Sequence, residues 1–181
     1  SMALAEKTGN PYRISRALHN AGVIYYDLGD LEAADTHLLR ALRLKETTGD
    51  RRSQALTRFY LGITATERGD FDLAQEYLDT ALKVLREVQD ASWEGDTLAA
   101  LGRLALFRNE PATAVQHLQT AYRRRRELDE PAYAVIDLSY LALAELALGD
   151  KKAAWRHSQE AVAELESGLS GVEHPQRVYY N

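Results

Sequence analysis

The chain has 181 residues, 45% of them hydrophobic, with 11 glycines, 4 prolines and a formal net charge of −5. That is enough apolar material for one domain with a sizeable core, and it excludes a disordered or collagen-like chain. The negative charge removes any global electrostatic drive toward nucleic acid or anionic lipid. There is no cysteine, which excludes disulfides, thiolate metal sites and thiol nucleophiles and fits a cytoplasmic, reducing setting.

In chain order, residues 1–10 read as a cloning remnant (Ser1-Met2) followed by the end of a helix, because Leu4 through Gly9 resembles Leu44 through Gly49. From there turn signals fall on a lattice of 20: Gly9-Asn10, Gly29-Asp30, Gly49-Asp50, Gly69-Asp70, Gln89-Asp90, Asn109-Glu110, Asp129-Glu130 and Gly149-Asp150. Glycine takes the left-handed conformation that closes a helix, and Asp or Asn caps the next one. Pro11, Pro111 and Pro131 stand just after junctions, where a missing N–H costs nothing. Between junctions the apolar residues keep helical spacing, so eight helices of about four turns are expected. They pair into units 11–50, 51–90, 91–130 and 131–170. Residues 171–181, with Glu173-His174-Pro175 and then Arg177 to Tyr180, read as the start of a further helix.

The side chains repeat every 40 residues. A small residue recurs on the first helix of each unit, at Gly22, Gly62, Gly102 and Ala142. The second helix carries Ala34, Ala74, Ala114 and Ala154, then Ala41, Ala81, Ala121 and Ala161. Small residues at facing positions let two helices approach closely, while Leu38, Leu78 and Leu118 fill the flanking space. At Ala21-Gly22-(x2)-Tyr25, Gly29-Asp30, Ala34, Leu38 and Ala41, and at their copies, the sequence resembles the tetratricopeptide repeat (TPR) family. The period exceeds the family's usual length of about 34, and the fourth unit departs from the pattern at Ala142, Glu145 and Ser158. Arrays of this longer period resemble those of bacterial multidomain regulators of the STAND type. The resemblance implies an all-α, right-handed superhelical solenoid of four TPR-like units with partial units at both ends.

It also implies that the first helix of each unit lines a concave wall. By registration that wall carries Arg16, His19, Asn20, Val23 and Asp27, then Phe59 and Ile63, then Arg103 and Phe107, then Leu143. Apolar anchors with some basic groups suit an extended or helical peptide of partly acidic character. Asn20 stands where many family members grip a peptide backbone, but its counterparts are Tyr60, Ala100 and Tyr140. The Lys/Asn clamp of chaperone-binding members is missing too.

His37, His117 and His157 recur one above another with Tyr77 between them; units stacked in register hold such residues too far apart to share one ion, so no metal and no cofactor is expected. The run Arg123 to Arg126 falls in the last turns of a helix, where cations complement the dipole. Trp93 and Trp155 read as packing residues near unit boundaries, and neither has the aromatic neighbours of a stacking platform. No phosphate loop, His-Glu-x-x-His or Gly-x-Ser-x-Gly motif occurs, so the expectation is a protein-binding scaffold, not an enzyme. Its partner is a peptide or protein, including another domain of the parent, with no nucleic acid and no membrane. An effector-sensing arm of a nucleotide-switch regulator and a homotypic assembly module stand as alternatives.

Overall fold

A computed structural model describes residues 10–170. The readings made for residues 1–9 and 171–181 lie outside the described residues. Eight helices account for nearly all of the described chain: α1 (Pro11–Asp27), α2 (Leu31–Thr48), α3 (Arg51–Arg68), α4 (Phe71–Glu87), α5 (Ala91–Phe107), α6 (Pro111–Glu127), α7 (Pro131–Ala147) and α8 (Lys151–Ser170). No described helix is long and apolar enough to cross a membrane.

The junctions are built as their residues dictate. Gly29, Gly49, Gly69 and Gly149 all have φ between 71° and 84°. Where glycine is missing, Gln89, Asn109 and Asp129 take the same left-handed conformation, with φ of 55° to 59°. The backbone geometry is therefore kept even where a side chain makes it less favourable. Asn10, Asp30, Asp50, Asp90 and Asp150 each accept a backbone N–H of the helix they open. Asp70 does not cap; its carboxylate accepts from Arg68 Nε instead, at 2.9 Å. Glu110 and Glu130 do not cap either, and in both cases proline opens the helix and already removes one orphan donor.

Each odd-numbered helix packs most extensively on the even-numbered helix that follows it, and the pairs stack in chain order into a right-handed superhelical solenoid. Among the described residues α1, α3, α5 and α7 also touch one another in sequence, whereas the even helices do not. The odd helices therefore form the inner wall. Within each of the first three pairs one contact sets the distance. A Cβ added at Gly22, Gly62 or Gly102 would lie 2.5–2.6 Å from Cγ of Leu38, Leu78 or Leu118. Those leucines and their flanking alanines are wholly buried. In the fourth pair Ala142 replaces glycine and Ser158 replaces leucine, its hydroxyl turned to Ala154 O at 2.8 Å. That pair shows slightly more solvent at Ala142, Ala154 and Ala161.

A methyl group at Gly102 has no free volume, and overpacking of this kind costs about 1–3 kcal/mol. Gly102→Ala is expected to lower the unfolding free energy by that amount, read as a lower urea midpoint with an unchanged slope. A midpoint equal to the parent's would show that the close approach is not needed.

Candidate functional site

The inner wall carries a narrow cleft of about 90 Å3 to which all four odd helices contribute. Tyr26 comes from α1, Ile63 and Glu67 from α3, Arg103 and Phe107 from α5, and Tyr140 from α7. The Arg103 guanidinium lies over the Tyr140 ring, 5.6 Å from its centroid, a cation–π contact that keeps the charge on the wall. Burial pushes the Tyr26 hydroxyl above its usual range, with Glu67 adding to the effect and Arg103 opposing it, so the phenol stays neutral and can donate. The cleft thus offers a cation, a carboxylate, phenol groups and the exposed Phe107 ring. Phe107 stacks on Phe71, with centroids 6.3 Å apart.

The ten residues expected on this wall do not form one site. Ile63, Arg103 and Phe107 meet in the cleft. Arg16 and His19 line a different cavity between α1, α2 and α3. Leu143 lines a third recess with Trp155 on the α7–α8 face. Asn20 and Asp27 are exposed and Val23 is half-buried. Phe59 corrects the sequence expectation: at 7% exposure it is a core residue that joins neighbouring pairs and cannot anchor a ligand, while Ile63, at 8%, is nearly as buried and only borders the cleft.

The two tryptophans differ: Trp93 packs at a unit boundary as expected, and Trp155 does not. Trp93 does have aromatic neighbours, with Phe59 at 5.3 Å and Tyr60 at 6.2 Å. Tyr60 also meets Tyr26 and His19 edge-on. This cluster ties α1, α3 and α5 together beneath the wall. Its sequence signal is the tyrosine standing at the position of Asn20 in the second unit. Trp155 is 69% exposed among the described residues. The histidines behave separately: His37 Nδ1 sits 2.9 Å from Ala33 O, and His157 Nδ1 sits 2.7 Å from Glu145. Among the described residues no group of three His, Asp or Glu side chains is placed to hold a metal ion.

The arginine run holds the largest surprise. Arg123 is exposed, Arg124 pairs with Glu94 and Glu127, and Arg126 pairs with Glu164. Arg125, by contrast, is 2% exposed. Its guanidinium pairs with Asp96 of α5 and with Glu130 of the turn at 2.5 Å, and it faces Asp137 of α7 at 3.7 Å. Ser92 O accepts another of its hydrogens, and the Tyr133 ring lies 4.8 Å away. Gly95 makes the room, since a Cβ there would come within 3.2 Å of the guanidinium carbon. Burial pushes the Asp137 carboxyl up to about 7, against the opposing pull of Arg125.

Removing one partner of a buried ion cluster strands the others, at a cost of about 3–5 kcal/mol. Arg125→Met is expected to destabilise by that order, far more than Arg123→Ala or Arg126→Ala. Because the folded pKa of Asp137 lies above its unfolded value, its penalty is absent at low pH and grows as pH rises through about 7. Loss of Arg125 raises that pKa further, so the deficit is larger at pH 8 than at pH 5. Urea unfolding of both proteins at the two pH values checks this, and a deficit independent of pH would contradict it.

Two tetratricopeptide repeat models match the chain, over residues 15–48 and 52–127. No curated protein matches. Among solved structures the chain is similar to BtubC (BKLC) from P. vanneervenii, with TM-score 0.82 and 18% identity over 95% of this chain and 70% of that one. It is similar to a Rap protein complexed with competence and sporulation factor, with TM-score 0.82 and 16% identity over 91% of this chain and 47% of that one. A STAND protein with a tetratricopeptide repeat sensor from Pyrococcus horikoshii gives TM-score 0.76 and 18% identity, over 95% of this chain and 28% of that one. At these identities the likeness shows the fold. The paired glycine–leucine contacts, the left-handed junctions and the matched models together place the chain in the tetratricopeptide repeat family.

Proposed function

We propose that the chain is a non-catalytic binding arm whose inner helical wall receives an extended or helical segment of a partner protein, which includes another domain of its own parent. The observation that carries this reading is the cleft shared by α1, α3, α5 and α7, with Arg103 and Phe107 presented at its edge. A surface assembled from four successive helices recognises a ligand that runs along them. Its volume of about 90 Å3 is well below the roughly 300 Å3 where pockets for drug-sized molecules begin. That weighs against a small effector held in this cleft. The Rap and STAND neighbours, whose names speak of a bound factor and of a sensor, agree with a regulatory binding role.

Since Phe59 is core, the informative variants are Arg103→Glu and Phe107→Glu. Selection from a displayed library of random peptides is expected to enrich a sequence class on the parent protein and lose it on the double variant, with helical circular dichroism unchanged. Equal enrichment on both proteins would sink the inner-wall reading.

A second reading, self-association, rests on a separate observation. Leu143, Leu146, Trp155, Val162 and Leu165 line a broad apolar recess of about 690 Å3 on the α7–α8 face. Contiguous apolar surface left open among the described residues marks a contact surface. Sedimentation of the chain over a hundredfold concentration range would show growing dimer, and Trp155→Glu would return it to monomer. A concentration-independent monomer would dispose of this reading.

A further inference from the structure

Three times along the chain one helix pair hands over to the next, and the 40-residue register puts equivalent side chains at each handover: Lys45 on α2, Leu85 on α4 and Arg125 on α6. All three are buried, Lys45 at 6% exposure. Leu85 shares a hydrocarbon cluster with Phe59 and carries no charge to satisfy. Arg125 has its carboxylates at Asp96, Glu130 and Asp137. Lys45 brings the same positive charge, but the positions equivalent to those three carboxylates hold Arg16, Asp50 and Thr57.

The Lys45 ammonium donates to Ser53 O at 3.1 Å and to Thr57 Oγ1 at 2.7 Å. An ammonium has three hydrogens, so one lacks an acceptor among the described residues. Asp50 commits its side chain to the Ser53 N–H at 3.0 Å and forms no ion pair with Lys45. Arg16 is exposed and forms no ion pair among the described residues. Between these two cations lies a cavity of about 160 Å3, also lined by Ser15, His19, Ser53 and Asp50. Burial depresses Lys45 to about 8, against the opposing pull of the Asp50 charge, which leaves it charged at neutral pH. Burial and then Lys45 hold His19 down to about 4, so the imidazole is neutral there.

We propose that this cavity is a carboxylate-binding site, in which a carboxylate from outside the chain takes, between Lys45 and Arg16, the place that Asp96 and Asp137 take around Arg125. A buried cation with neutral acceptors and no carboxylate in direct contact is costly, and a charge-assisted contact relieves that cost. The volume admits a short mono- or dicarboxylate or the acidic side chain of a bound peptide, and it is too small for a nucleotide. Asp50 on the lining repels a doubly charged phosphate more than a carboxylate.

The test is thermal unfolding of the 181-residue chain in glutarate, its neutral diamide, phosphate and chloride at matched ionic strength. A ligand that binds only the folded state raises the midpoint with concentration, and glutarate is expected to raise it by roughly 2–4 °C. The diamide, phosphate and chloride leave it unchanged. Lys45→Leu installs the residue that already packs at the next handover, and Arg16→Leu changes only an exposed side chain; each abolishes the glutarate shift. Thr57→Asp supplies the carboxylate internally, raises the midpoint without ligand, and makes glutarate redundant. A capped peptide with one glutamate, run beside glutarate, separates the two sources by which of them half-saturates lower. Arg103→Glu leaves the shift intact, which keeps this site distinct from the inner cleft. A shift that survives both Lys45→Leu and Arg16→Leu, an equal response to phosphate or the diamide, or no glutarate response in the parent protein would overturn the proposal.

Discussion

The approach of Gly22, Gly62 and Gly102 to Leu38, Leu78 and Leu118 fixes how far apart the two helices of a pair stand. Everything else in the array is built on that spacing. With it set, the alanines of the second helix are sealed from solvent, and burying each leucine contributes about 1.5–3 kcal/mol. The left-handed junctions then turn the chain into the next helix. The inner wall follows from the same geometry, because identical pairs stacked in one direction place their first helices side by side.

Between pairs the constraint is looser, and the chemistry varies accordingly. One handover is hydrocarbon and aromatic, through Leu85, Phe59 and Trp93. One is ionic, through Arg125, and there α6 and α7 pack almost as extensively as the members of a pair. One is a buried lysine beside a cavity. Exposed ion pairs such as Arg52–Asp90 and Arg108–Asp72 also link neighbouring pairs, but contacts of that kind contribute at most about 1 kcal/mol each. The buried groups therefore decide how strongly one pair holds the next.

The architecture was legible in the sequence because its signals are local and repeated. A glycine followed by an aspartate every 20 residues is a turn wherever it occurs, and even the junctions without glycine could be placed by register. The wall was less legible. Registration gives the face of a helix on which a residue lies, but not whether the neighbouring pair covers that face. Phe59 and Ile63 lie on the expected face and are nonetheless core. Arg125 escaped notice for a different reason. Four adjacent arginines look alike in sequence, and only the meeting of Asp96, Asp137 and Gly95, 30 residues upstream to 12 downstream of it, reveals which one goes inside. Aligning the repeats column by column would have shown Lys45 and Arg125 in one apolar column with Leu85.

The difference among the three handovers also bears on how the chain finds its own order. Within a pair the glycine–leucine lock is the same in the first three copies, so local contacts alone do not tell one pair from another. A pair ending in Arg125 that met α3 instead of α7 would keep Asp96 of its own α5, but would find neutral Thr57 where Asp137 belongs and the shorter Asp50 in place of Glu130. An unmatched buried charge is among the most heavily penalised errors in a protein interior. A pair ending in Leu85 that met α7 would strand Asp137 in the same way. Near-identical modules on one string are prone to misassembly between neighbours. Unlike side chains at successive handovers give each module an address, so the sequence of modules along the string is also their sequence in space.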